Sequence, residues 1–307
     1  MANTLSGIVK DATNTPVSGR LVRAYREDTG ALIGSDTSGA YAAEVAADAN
    51  WADVVLALKF DSDFTDLTSS HTVTATNAVI SSVQSKFGGS SAYFDGTGDY
   101  LSIPNSSDFL ILWGTDSTID FWVYPTNIAG TGTIVSMWGA AETRFFAVWV
   151  DNGKIVLNYS TNGISWYQKI SSDAAIAGDV WSHVEISYAS GTLRIFVNGV
   201  SVFSGTMSGT DTCNQPLIIG GTGNNGGTPT YPFAGYIDDF RITKGLARHT
   251  AEFAEPTTEF ATAGSAGSVL GSFAIDTGSV TTECTLVFSG ESTYNSLVIS
   301  GVTPVTT

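Results

Sequence analysis

Apolar and polar residues alternate with a period of two in many short runs along this chain, as strands with one buried face do. Phe233-Ala234-Gly235-Tyr236-Ile237-Asp238-Asp239-Phe240-Arg241-Ile242-Thr243 is one such run, and Ile119-Asp120-Phe121-Trp122-Val123-Tyr124-Pro125 is another. Phe121, Val123, Ile195 and Val197 fall on core-facing positions, which leaves Trp122 and Tyr124 on the opposite face. Strands are also predicted at Val54–Asp61, around Trp149 and Ile155, at Trp181–Tyr188 and at Leu193–Val197. Asp151-Asn152-Gly153 and Val197-Asn198-Gly199 set Asn-Gly between apolar runs, where a type I′ hairpin turn needs positive φ twice. Helix is confined to one short turn near Gly245-Leu246-Ala247-Arg248. The pattern predicts an all-β, antiparallel sandwich.

The two chain ends read differently from the centre. Leu5–Lys10, Gly19–Arg26, Ala31–Ser35 and Ser38–Tyr41 are strand-like, yet 48 residues cannot bury enough surface to fold alone. Ser272–Gly278, Glu283–Phe288 and Ser296–Ser300 pose the same problem at the other end. Together they predict one small discontinuous β-sandwich made of residues 1–48 and 264–307, interrupted by a larger domain at 49–263. Two independent appendages are the alternative.

Composition narrows the function. Apolar residues make up 43% of the chain and charged residues only 14%, which suits strands and tight turns better than helices. Thirteen Lys and Arg against 29 Asp and Glu give a net charge of -16, the opposite of what nucleic-acid binding requires. No run approaches the ~18 apolar residues of a membrane span, and Met1–Ser6 shows neither the charge nor the apolar stretch of a signal peptide. Cys213 and Cys284 fall in different domains and read as unpaired thiols.

Catalytic patterns are missing from the sequence. Glu185 has no acidic neighbour two or four positions away, so no carboxylate pair is visible on one strand face, and the chain reads as a non-enzyme. His71, His183 and His249 are scattered, and His183 reads as structural. Gly220–Gly227 has no Lys and reads as a flexible loop rather than a phosphate cradle. Aromatic side chains remain: sugars dock on exposed rings while Asn, Asp and Gly loops supply hydrogen bonds. Trp138, Trp149, Trp166 and Tyr167 are the candidates, the last two beside the Thr161-Asn162-Gly163 turn.

Tyr93–Leu101, Ile119–Pro125, Phe233–Thr243 and the Ser85–Gly96 element resemble the laminin-G/concanavalin-like lectin fold, most closely its branch in bacteriophage tail and virion proteins. The opening strands, with a Pro16-Val17 turn and Ser38-Gly39-Ala40-Tyr41, resemble a carboxypeptidase-regulatory or transthyretin-like, immunoglobulin-type β-sandwich. The resemblance implies a jelly-roll lectin domain carried in a virion as a capsid-decoration, head-fibre or tail-fibre component. Such a protein would be assembled in the host cytoplasm, present in many copies or as a homo-oligomer, and held by other virion proteins. Cell-surface glycans would be its partners; a bacterial adhesin or a sugar-free protein clamp are the rival roles. The resemblance also implies a structural calcium between first and last strands, with Asp61, Asp238 and Asp95 as candidate ligands.

Overall fold

The computed structural model describes residues 3–9, 21–26, 32–37, 48–139, 143–165, 167–171, 175–207, 213–224, 227–262, 272–278, 284–288 and 297–299. The chain divides into two compact units, one made of Met1–Ala47 with Gly264–Thr307 and the other of Asp48–Ala263.

In the first unit, strands from the two chain ends share sheets. Asn3–Val9 lies between Ser272–Gly278 and Leu297–Ile299, antiparallel to both. Leu21–Arg26 lies between Cys284–Phe288 and Leu32–Thr37, again antiparallel to both. Neither chain end could satisfy these backbone groups without the other. The run Ser38–Tyr41 lies outside the described residues.

The second unit is an antiparallel sandwich of two large sheets. One has the order Tyr167–Ile170, Lys154–Tyr159, Phe146–Asp151, Thr131–Met137, Leu217–Ile219, Tyr100–Ile103 and Thr74–Thr76. The other runs Val200–Thr206, Thr192–Val197, Ser182–Ala189, Ser117–Pro125, Ala234–Lys244, Ser91–Asp95 and Val79–Ser81, with Val54–Leu58 as an eighth strand beside Ala234–Lys244. Phe121, Val123, Val184, Ile186, Ile195 and Phe240 from this sheet meet Val148, Val150, Ile155 and Leu157 from the first, all essentially without exposure. Phe121 and Phe240 stack at 5.8 Å between centroids. The expected Asn-Gly hairpins form as the sequence requires: Asn152 and Gly153 have φ of 50° and 72°, Asn198 and Gly199 of 51° and 79°.

Ala234–Lys244 organises the eight-stranded sheet. It pairs with Ser117–Pro125 along one edge; along the other, its first half pairs with Ser91–Asp95 and its second half with Val54–Leu58. A bulge between Asp238 and Arg241, with Asp239 at φ 48°, lies where the partner changes.

The outward face of this sheet is covered. Residues 245–262 run across it as a strap held by side chains of the sheet. Thr118 Oγ1 donates to the Leu246 carbonyl and accepts from Arg248 N, Ser187 Oγ donates to the His249 carbonyl, and Asp239 Oδ2 accepts from Phe260 N. Phe253 N donates to the Gly199 carbonyl. A side chain at position 199 would place a Cβ 2.0 Å from the Phe253 carbonyl oxygen, so glycine serves both the turn and the strap. The helical turn expected at Gly245–Arg248 does not form, and Thr118 takes up the Leu246 carbonyl and Arg248 N instead; among the described residues the short 3-10 turns lie at Trp51–Asp53 and Ser107–Phe109.

Beneath the strap, Arg241 grips Asp120 through Nε (3.1 Å) and Nη2 (2.8 Å), and its Nη1 reaches Asp48 at 3.2 Å. Arg248 Nη2 meets the same Asp48 oxygen at 2.6 Å. Burial alone would raise the pKa of Asp120, but the charge and hydrogen bonds of Arg241 outweigh it and hold the carboxyl below its usual value. Removing one partner of such a pair strands a buried charge. Arg241→Ala is expected to cost about 3–5 kcal/mol of stability, read from the shift in urea unfolding midpoint by tryptophan fluorescence, whereas an exposed-pair cost under ~1 kcal/mol would contradict this account.

Candidate functional site

The outward face of the seven-stranded sheet is built on the same alternation. Phe146, Val148 and Val150 point into the core, so Trp149 points out; Ile155, Leu157 and Tyr159 point in, so Asn158 points out. Register sets Asn158 opposite Gln168 on one neighbour and Ala147 on the other, and Ala147 is too small to fill the space above the sheet. A cavity of about 300 Å³ lies there, lined by Trp138, Gly139, Arg144, Trp149, Asn158, Gln168, Thr222, Gly223, Thr230 and Tyr231.

Part of its wall is a two-stranded ribbon, Thr222–Asn224 with Gly227–Thr230, in the stretch expected to be a flexible loop. The ribbon is fastened to the sheet by hydroxyls: Thr133 and Thr222 bond at 2.6 Å, Ser136 Oγ donates to the Gly221 carbonyl at 2.9 Å, and Gly223 N donates to Ser136 Oγ at 3.1 Å. The glycines allow close approach; a Cβ at Gly223 would sit 2.6 Å from the Trp138 carbonyl oxygen. Tyr231, half exposed at 52%, follows the ribbon and stacks on Trp149 with centroids 5.1 Å apart and planes 27° apart.

At the other end, Arg144 lies 5.8 Å above the Trp138 ring, its backbone N donates to Gly163 and its Nη1 donates to the Ile164 carbonyl at 2.6 Å. The cavity therefore joins aromatic surface to polar groups that have no partner in the protein. Trp149 Nε1, Asn158 Oδ1 and Arg144 Nε are all buried and unbonded. A buried polar atom left unpaired costs about 1–3 kcal/mol, so a ligand with both donors and acceptors would relieve the strain these atoms impose.

Of the aromatic residues singled out in the sequence, Trp138 and Trp149 come together here. Tyr167 does not line the cavity. It pairs with the inward-facing Tyr159 on the edge strand and stacks on that ring at 5.5 Å, so its side is opposite to that of Gln168. Trp166 lies outside the described residues. Arg144, Asn158, Gln168, Thr222 and Tyr231 were not singled out, because Asn, Gln and Thr on strands read as ordinary outward positions.

The carboxylates expected to hold calcium are divided. Asp61 lies near enough to Asp238 to push its pKa up, but Asp95, at the far end of its strand, caps Thr97 instead. Asp238 Oδ2 already accepts from the backbone N of Lys86 and Phe87, and Oδ1 from Asp239 N. Among the described residues no three His, Cys, Asp or Glu side chains group as a metal site. Asp95 thus stands apart from Asp61 and Asp238, and both oxygens of Asp238 already accept backbone hydrogen bonds.

The covered face of the eight-stranded sheet holds a second group of titratable residues, around a cavity of about 210 Å³ bounded by Asp120, Trp122, His183, Asp239, Arg241 and the strap. Glu185 stands directly opposite Asp120 on the adjacent strand, a convergence of carboxylates invisible in the sequence. Neither is free: Arg241 holds both oxygens of Asp120, and His249 Nδ1 meets Glu185 Oε2 at 2.7 Å. His183 is neutral, lowered to about 4 by burial.

The sequence profile of the Concanavalin A-like lectin/glucanases superfamily matches residues 95–251, which is 157 of 307 residues and so just over half of the chain. The chain belongs to this superfamily. Among solved structures, this lectin-type chain is similar to the binding domain of Paraclostridial Mosquitocidal Protein 1, with 16% identity, a TM-score of 0.51 and coverage of 64% of this chain and 50% of that one. It is similar to a mutant of HCR/D, with 15% identity, a TM-score of 0.50 and coverage of 65% and 50%. Domain 4 of AbnA, a GH43 extracellular arabinanase from Geobacillus stearothermophilus, in complex with arabinotriose, shares 20% identity, a TM-score of 0.47 and coverage of 64% and 94%. The lectin-type chain spans about half the length of the first two, and at these identities the likeness is one of fold. No curated protein sequence matches the chain.

The lectin-type unit has an unusual acidic pair in its bulge. Burial and the neighbouring charge of Asp238 raise Asp239 to about 8, and burial raises Asp238 to about 7. Over pH ~4 to ~8 the folded state keeps a proton on Asp239 that the unfolded chain, with its value near 3.8, has released, so this group lowers stability as pH rises through that window. His183 gives the opposite slope, costing stability as pH falls from its unfolded value of 6.5 to about 4. Asp239→Asn is expected to flatten the loss of stability between about pH 5 and about pH 8, measured as urea midpoints; an unchanged slope would refute the assignment.

Proposed function

We propose that this chain is a display protein whose lectin-type unit binds glycan in the cavity over Trp149. The observation that carries the reading is the combination of the Trp149–Tyr231 aromatic wall with the unpartnered Trp149 Nε1 and Asn158 Oδ1 at the same cavity. Pyranose rings present C–H surface that buries well against such rings, and their hydroxyls both donate and accept. Gln168 and Thr230 add polar groups along the same wall. Binding rather than hydrolysis is the activity proposed, because the convergent carboxylates Asp120 and Glu185 are held by Arg241 and His249 away from this cavity.

The resemblance to virion-type lectin domains extends the proposal to a place: a capsid-decoration, head-fibre or tail-fibre component of a bacteriophage, presenting many copies to a host or environmental surface. Weak binding at one site then suffices, since multiple copies on one particle raise effective concentration. The strands contributed by both chain ends would join it to other virion proteins. Mass spectrometry of purified particles tests the location, and absence of the chain from intact virions would remove it.

A glycan array probed with multivalently displayed full-length chain tests the binding. Trp149→Ala is expected to weaken any glycan bound by about tenfold or more, with Tyr167→Ala unchanged as the control on the opposite face. No binding at high valency, or equal losses in the two variants, would overturn the site.

A further inference from the structure

We propose that the cavity selects sugars that carry an oxyanion, a carboxylate or a sulfate, through Arg144. The inference rests on the glycan reading above and adds a ligand class to it. In a chain with 29 acidic and 13 basic residues, the described lining of this cavity contains no carboxylate and one cation, Arg144. Arg241 is neutralised by Asp120 and Asp48, and Arg248 by Asp48. Arg144 has no ion pair among the described residues.

The geometry of its fork is informative. Arg241 grips the Asp120 carboxylate with the edge formed by Nε and Nη2, the side-on bidentate arrangement. Arg144 spends Nη1 on the Ile164 carbonyl, while its Nε, which belongs to that same edge, is buried and without a partner. The contact with Ile164 and the Trp138 ring beneath hold the guanidinium in place, so an oxyanion meets a preset pair of donors. A neutral sugar hydroxyl can take one of these N–H groups; a planar carboxylate or a sulfate can take both.

The net charge of -16 repels anions at long range, but that field is screened within a Debye length of ~8 Å at physiological ionic strength, whereas a direct contact persists. Selection by Arg144 should therefore survive moderate salt.

The test uses full-length chain and matched oligosaccharides in physiological salt: oligogalacturonate against its neutral galactose counterpart, and a sulfated galactan fragment against the unsulfated one. At least one acidic member is expected to bind about tenfold or more tightly than its neutral partner, and the two pairs distinguish carboxylate from sulfate. Arg144→Gln should shrink that preference by about tenfold, while Arg144→Lys, a point charge without the fork, should restore part of it. Equal binding of acidic and neutral members, or a preference untouched by Arg144→Gln in a chain that unfolds at the wild-type temperature, would overturn the proposal and leave glycan binding standing. Binding of none of the four would overturn both.

Discussion

Arg241 sits where burial and charge conflict most sharply, and the lectin-type unit is assembled around the way that conflict is resolved. Its guanidinium is removed from water on the central strand of the eight-stranded sheet, at a cost of several kcal/mol without partners. Asp120 lies on the neighbouring strand, 121 residues earlier in the sequence, and supplies a bidentate partner. Asp48 supplies the third contact from the beginning of the unit and is shared with Arg248 from the strap. One cation thus couples two central strands, the beginning of the unit and the cover over its outward face. Register along Ala234–Lys244 is fixed by this pairing as well as by hydrophobic alternation, since a one-residue slip would turn Arg241 into the apolar core.

The two outward faces of the sandwich answer the same geometric problem differently. Each strand that buries one face must present the other, and the eight-stranded sheet meets that demand with a strap fastened to it through Thr118, Ser187 and Asp239. The seven-stranded sheet leaves its face partly uncovered, with a ribbon and a ring standing beside a recess. Unmatched donors and acceptors are expensive where they serve only stability. Those of His183, Glu185 and Asp239 are shut beneath the strap, whereas those of Trp149, Asn158 and Arg144 lie beside a recess flanked by the half-exposed Tyr231 ring, and that difference is the physical reason to read the Trp149 face as the one that meets a partner.

The fold was legible because its determinants are local. Asn152-Gly153 and Asn198-Gly199 demand their turns, and the alternation at Phe121 and Val123 or Ile195 and Val197 assigns the core directly. The cavity was half legible: Trp138 and Trp149 stand out as large aromatics in a polar setting, but Asn158 and Gln168 gain meaning only once register sets them side by side. Tyr167 misled because its exposure is real, at 49%, while its side of the sheet is decided by pairing with Tyr159, which no local pattern reveals. The glycines of 220–227 misled for a related reason. Glycine density suggests a loop, yet Gly223 is needed because its backbone passes against the Trp138 carbonyl, a contact between distant segments. Asp120 and Glu185 likewise face each other only across strands.

The backbone N of Asp48 donates to the Thr262 carbonyl at 2.9 Å, so the first and last described residues of the lectin-type unit lie side by side. A head tethered in that way is modular in the strict sense that its boundaries occupy no more room than a tight turn. Recombination could replace one such cassette by another of different shape without disturbing the register of strands drawn from either terminus.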